Sequence, residues 1–211
     1  MAKPAFDLTL YFVTDHRQSF EHTCAVVREA VAGGVTMVQL RHPDLDGGEL
    51  LEQARALKAL LAGTGVPLIL NDRVDVAHAS GAEGVHIGQS DLPPSAARAI
   101  LGPDAIIGLS AVTEAEMAAI NPVDVDYVGI GPYAVTTTKA DAGDALGIEG
   151  TRQAVKIAPV RACAIGGIGE NNAAKVASTG VEGIAVVSAL SLADDPRAAA
   201  GRLRAAFESG R

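Results

Sequence analysis

An apolar run, Val66-Pro67-Leu68-Ile69-Leu70, stops abruptly at Asn71-Asp72-Arg73, and a second, Gly84-Val85-His86-Ile87-Gly88, stops at Gln89-Ser90-Asp91. A buried strand that finishes in polar groups aims them at something. If the two runs are parallel neighbouring strands, Asp72 and Asp91 stand at the same end of one sheet. Two carboxylates and an amide converging there suit a hard cation with oxygen ligands, best of all Mg²⁺ carrying a polyphosphate. A plainer reading has Asp72 capping the following helix and Asp91 opening a turn before Pro93-Pro94.

Other runs end in the same manner. Gln39 and Arg41 lie two apart, so both point to one face of their strand, where polar groups are costly unless paired or functional. Ser110 closes another run. Thr136-Thr137-Thr138-Lys139 sits in a loop from Gly131 to about Ala145, and three hydroxyls with an ammonium suit phosphate capture; a solvated polar loop is the plain alternative. Gly166-Gly167 and Ser188 suit a monophosphate held by backbone N–H groups and a helix N-terminus. His86 lies mid-strand and reads as a satisfied core histidine, whereas His16, His22, His42 and His78 read as loop or surface residues.

Periodicity indicates what positions these groups. Strands are expected at Leu8–Val13, Val35–Leu40, Leu68–Leu70, Val85–Ile87, Ala105–Leu109, Val125–Ile130, Arg161–Ile165 and Gly183–Val187. Between them, apolar residues recur at helical spacing, as in Phe20, Cys24, Val27 and Val31, or Leu50, Ala54, Leu57 and Leu61. Thr113 with Glu116 has capping-box spacing, and further helices are expected over Val74–Ser80, after Pro93-Pro94, and over Ile148–Ile157, Glu170–Ser178 and Pro196–Phe207. The strands are continuous apolar runs, the pattern of a parallel sheet covered on both faces. Eight of them alternating with helices in 211 residues predict an α/β fold, a single (β/α)8 barrel (TIM barrel) domain over 1–211, whose chemistry sits where the strands end. A doubly wound open sheet is the second choice, but the first βα turn has no G-x-G-x-x-G.

The net charge of −8 argues against nucleic acid or an anionic membrane as a general partner, so a phosphate ligand must be held locally. No apolar run is long enough to span a bilayer, and no signal segment is recognised. Cys24 and Cys163 lack metal-ligand spacing and read as reduced core thiols of a cytoplasmic protein. The residues therefore outline two anion sites. One is a pyrophosphate-like site with Mg²⁺, built from Arg41, Asn71, Asp72, Asp91 and Lys139; the other is a monophosphate site, built from Gly167, Ser188 and the threonines. Two small phosphorylated substrates joined with loss of pyrophosphate would use both.

Read in order, Tyr11-Phe12-Val13-Thr14-Asp15, Gln39-Leu40-Arg41, Asn71-Asp72, Gly84 to Pro93, Gly108-Leu109-Ser110, Gly129-Ile130-Gly131-Pro132, Thr136 to Lys139, Leu146-Gly147, Ala164 to Ile168 and Val187 to Leu190 form a specific set. In it the chain resembles the thiamine-phosphate synthase family over nearly its whole length. That family joins 4-amino-5-hydroxymethyl-2-methylpyrimidine diphosphate to a thiazole phosphate and releases pyrophosphate. The resemblance implies that Asp72 and Asp91 hold Mg²⁺. It implies that Gln39, Arg41, Asn71, Ser110 and Lys139 contact the pyrimidine diphosphate, with Arg41, Lys139 and Ser110 at the reacting end. It gives the thiazole phosphate to Thr136, Thr138, Gly167, Val187 and Ser188. Two departures stand out. The family usually reads Gln-Leu-Arg-x-Lys, where this chain has Pro43, and it carries a bulky aromatic upstream of the threonines, where this chain has Ala134 and Val135. Competing readings on the same fold are a thiazole tautomerase and a non-catalytic sensor of thiamine phosphate. The sequence leaves open whether the chain forms a homo-oligomer.

Overall fold

A computed structural model describes residues 5–135 and 144–211. Eight strands lie in sequence order and close into a barrel: β1 (Leu10–Val13), β2 (Met37–Leu40), β3 (Leu68–Asn71), β4 (Gly84–Ile87), β5 (Ile106–Ser110), β6 (Tyr127–Ile130), β7 (Arg161–Ile165) and β8 (Gly183–Val186). Every pairing is parallel, and closure comes from β1 against β8, with Tyr11 opposite Ala185. Parallel neighbours require a crossover each time, which the intervening helices supply. The open-sheet alternative is excluded.

Alternation along β1 shows why the strands read as unbroken apolar runs. Leu10 and Phe12 face outward into the layer beneath the helices, while Tyr11 and Val13 face the barrel interior. Each strand is buried on both sides, so no polar face exists to break the run. The interior cluster comprises Leu8, Tyr11, Val13, Met37, Ile69, Ile106, Tyr127, Cys163 and Ala185. Gly183 is obligatory at the seam, because a Cβ there would fall 1.6 Å from the Leu8 carbonyl oxygen.

Around the barrel run α1 (Phe20–Ala32), α2 (Gly47–Leu61), α3 (Val74–Ser80), α4 (Pro94–Leu101), α5 (Glu114–Ala118), α6 (Gly147–Ile157), α7 (Ala173–Ala177), α8 (Ser188–Ser191) and α9 (Pro196–Glu208). α2 buries Leu50, Ala54, Leu57 and Leu61, the stripe its spacing predicts. Thr113 and Glu116 form the reciprocal capping box at the start of α5. α1 differs: it buries Thr23, Val26, Val27 and Ala30, so the contact stripe is rotated and Cys24 is left half-buried. α7 starts later than its pattern suggests, because Asn172 folds back to accept from Gly169 N and donate to Gly167 O, which holds the preceding residues in a turn. α8, a single turn directly after β8, was not expected from spacing. No described helix is long and apolar enough to cross a membrane.

At the starts of the strands, charge is matched with opposite charge. Asp126 before β6 accepts from Arg98 Nη2 and from Ile107 N, both at 2.8 Å. Glu83 before β4 takes Lys58 and Leu68 N; Glu182 before β8 takes Arg161 Nε at 2.6 Å.

Candidate active site

The ends of the strands surround a cavity of about 1110 Å³. Gln39, Arg41, Asn71, Asp72, Asp91, Ser110, Gly167, Val187 and Ser188 all line it. Thr136, Thr137, Thr138 and Lys139 lie outside the described residues.

One wall carries the charges. At the end of β3 the chain turns sharply: Asp72 has φ of 61°, the one described non-glycine residue with a positive φ. Aspartate is among the few side chains that tolerate this region. The Asp72 N–H donates to His86 O on β4 at 2.8 Å, and Arg73 N donates to Asn71 O at 2.7 Å. Arg73, not Asp72, takes the cap position of α3, and no side chain caps that helix. The turn leaves the Asp72 carboxylate facing the cavity, within hydrogen-bonding reach of Asp91. Asp91 Oδ2 accepts from Gly88 N at 2.7 Å, so Asp91 does close a turn as well as facing its neighbour. Asn71 Nδ2 donates to Asp72 Oδ2 at 2.5 Å.

Two carboxylates in contact repel. Partial burial, and then Asp91 beside it, raise the Asp72 carboxyl to about 6, against opposing pulls from Arg41 and Asn71. A cation between the carboxylates would remove that repulsion. Among the described residues no group of three or more His, Cys, Asp or Glu could hold a metal ion. The donor set is thus two carboxylates beside an open cavity. That fits Mg²⁺, which keeps several waters and binds through one or two carboxylates plus phosphate oxygens. It does not fit a metal that needs a full protein cage.

Arg41 follows β2, its backbone N–H held by Thr14 Oγ1 at 3.0 Å and its Nη1 3.4 Å from His16 Nδ1. Pro43 stands exposed in the next turn, where the resemblance leads one to expect a second cation.

The opposite wall is uncharged. Gly166 and Gly167 have φ of 97° and 63°. A Cβ on Gly167 would lie 2.8 Å from both Ala134 Cβ and Val135 O, so this backbone passes bare beneath the loop after β6. Val187 and Ser188 lead into α8, and the first N–H groups of a helical turn have no helical acceptor. With Gly167 they offer N–H groups to an anion.

Between the walls, the floor is polar in a way the sequence did not suggest. Ser110 Oγ lies 3.0 Å from His86 Nε2; His86 Nδ1 lies 3.0 Å from the Tyr127 hydroxyl; Tyr127 and Tyr11 hydroxyls are 3.0 Å apart; Gln39 Nε2 donates to Tyr11 OH at 2.6 Å. His86 is a satisfied histidine, as its position suggested, but it faces the cavity. Glycines make this possible. A Cβ on Gly108 would lie 2.1 Å from Tyr127 Cζ and 2.5 Å from His86 Nδ1, and one on Gly129 would lie 3.0 Å from His86 Cε1. The glycines of β5 and β6 were the available signal: a Gly in mid-strand marks a close approach by another group.

Comparison with known proteins places this geometry. Residues 10–190 match the family model described as thiamine monophosphate synthase. A thiamine-phosphate synthase of Azorhizobium caulinodans is 55% identical over 207 residues, covering 98% of each chain. One of Xanthobacter autotrophicus is 51% identical over 212 residues, covering 100% of each. Among solved structures, thiamine phosphate pyrophosphorylase from Pyrococcus furiosus superposes with a TM-score of 0.84 at 38% identity, covering 95% of this chain and 96% of that one.

Proposed function

The chain belongs to the thiamine monophosphate synthase family, and we propose that it transfers an aminopyrimidinylmethyl group from its diphosphate to thiazole phosphate, yielding thiamine phosphate and pyrophosphate. The observation that carries this reading is the meeting of Asp72 with Asp91 on the wall of the same cavity that Gly167 and Ser188 line. A charged wall for a diphosphate faces an N–H-lined wall for a monophosphate, and the gap between them is where a bond can be exchanged.

The residues divide the work accordingly. Asp72 and Asp91 would hold Mg²⁺, which when bound supplies positive charge to the leaving pyrophosphate. Arg41 and Lys139 neutralise the same leaving group, Asn71 orients the Asp72 carboxylate, and Gln39 and Ser110 hold the pyrimidine ring. Gly167, Val187 and Ser188, with Thr136 and Thr138 from the loop, hold the thiazole phosphate and bring the thiazole nitrogen to the methylene carbon. The methylene C–O bond breaks first, its electron pair leaving with pyrophosphate. The ring's amino group delocalises the positive charge, and the thiazole nitrogen then donates its lone pair to the carbon. No protein nucleophile is required. Catalysis is placement plus charge neutralisation.

Pyrophosphate release measured with both substrates, each alone, and with and without Mg²⁺ tests this. Release that needs both substrates and the metal is expected. Absence of release under all conditions would overturn it, and turnover of the thiazole phosphate alone to an isomer would favour the tautomerase reading.

A further inference from the structure

The chain of hydrogen bonds across the cavity floor runs from Gln39 on β2 to Ser110 on β5 through three residues the reaction scheme does not use: Tyr11, Tyr127 and His86. Each tyrosine hydroxyl has one hydrogen to give. Burial pushes both hydroxyls well above the ordinary tyrosine range, so both stay protonated. Two hydroxyls in series then impose a single direction on the whole row. Gln39 Nε2 can only donate, so Tyr11 accepts from it. The Tyr11 hydrogen goes to Tyr127, because otherwise it would be buried without an acceptor. Tyr127 then donates to His86 Nδ1, the imidazole carries its proton on Nε2, and that N–H points at Ser110 Oγ. Two groups at the ends remain for a ligand: the Ser110 hydroxyl hydrogen and the Gln39 carbonyl oxygen. Both residues line the cavity.

We infer that this row makes His86, Tyr127 and Tyr11 positioning residues that fix Ser110 as a donor and Gln39 as an acceptor toward the substrate ring, and thereby select a 4-aminopyrimidine over its 4-oxo counterpart. The inference rests on the proposed reaction for its substrate. The edge of a 4-aminopyrimidine offers a bare ring nitrogen and an N–H₂ group, one acceptor and one donor. The 4-oxo ring offers the reverse, N–H and C=O. A floor free to rotate its hydroxyls would take either; a floor with one imposed direction takes one. Turning the Gln39 amide over would reverse every bond in the row, so the proton position on His86 reports the direction of all of them.

Nitrogen NMR of the full chain with ¹⁵N-labelled histidine, the His86 signals assigned by their loss in His86→Gln, reads that position without substrate. Neutral His86 with its proton on Nε2 is expected; a proton on Nδ1, or an imidazolium at neutral pH, overturns the inference. Kinetics supply the second arm. In Tyr127→Phe the ratio of kcat/KM for the 4-amino over the 4-oxo diphosphate should fall about tenfold, the size expected when one directed buried hydrogen bond is lost. KM for thiazole phosphate should stay within about twofold, as expected where binding contacts remain intact. An unchanged ratio also overturns it. A wild-type protein that releases no pyrophosphate would sink the proposed reaction instead, while the spectrum would still decide the row.

Discussion

The two ends of this barrel treat charge in opposite ways. At the starts of the strands Asp126 and Glu83 each have a cation and a backbone N–H: Asp126 with Arg98 and Ile107, Glu83 with Lys58 and Leu68. At the finishing ends, Asp72 meets Asp91, like beside like. The contrast is not merely one of position. Asp15 ends β1 at that same mouth, yet Arg17 grips it through Nε and Nη2, both at 2.7 Å, and that grip holds its carboxyl below the usual range. A carboxylate paired with a cation has spent its charge on the fold, whereas one held against another carboxylate keeps that charge available for a ligand.

Four expected outcomes would break or sharpen this contrast. Asp72→Ala should lower metal-dependent turnover the most, by about a thousandfold, equivalent to roughly 4 kcal/mol of transition-state stabilisation. Thiazole phosphate binding, followed by calorimetry, should survive; joint loss would make the residue structural. Asp126→Ala should leave turnover per folded molecule unchanged and cost about 3 kcal/mol in urea unfolding, because it takes the carboxylate from the largely buried Arg98, leaving that charge on backbone carbonyls. A fall in turnover at constant stability would erase the contrast.

The third outcome concerns pH. Folding raises the Asp72 carboxyl to about 6, so the metal-free fold favours its protonated form. Its charge therefore opposes folding above that value, and the opposition fades as pH falls through 6 toward the ordinary carboxylate range. A cation needs the ionised form, so Mg²⁺ affinity should weaken by about tenfold per pH unit below 6, since binding must displace the proton. Asp15 runs the other way: its stabilising contribution is present above the unfolded value and lost as pH falls through its depressed folded value. Mg²⁺ titrations between pH 5 and 8, with pH values chosen as about one to two units either side of the carboxyl, check the first half; a flat affinity would count against it. The smallest effect is expected for Pro43→Lys, which adds a cation at an exposed turn beside Arg41 and should lower KM for the pyrimidine diphosphate by about threefold. An unchanged or higher KM would mean that position 43 does not reach the diphosphate.

Much of the architecture was legible in the residues. Strands buried on both faces leave an unbroken apolar signature, and in β3 and β4 the polar residues that end it mark the cavity rim. Helix faces were read less well where two stripes compete: α1 presents Val26 and Ala30 to the barrel, although Cys24 and Val31 have equally good spacing. α8 escaped notice because one helical turn is too short to show a period. The floor escaped for a different reason. Tyr11, Gln39, His86, Ser110 and Tyr127 come from five strands, and nothing local in the sequence says that their polar atoms meet. Periodicity reports which face a side chain takes, not which partner it finds there.

His86 holds both halves of the site from one position. Its carbonyl receives the Asp72 N–H, while its ring reaches Ser110 and Tyr127. Any slip of β4 along its neighbours would carry the acidic corner and the floor together, by the same amount. On the proposed reaction, the spacing between where a diphosphate is gripped and where its ring is read is therefore gauged by a single residue.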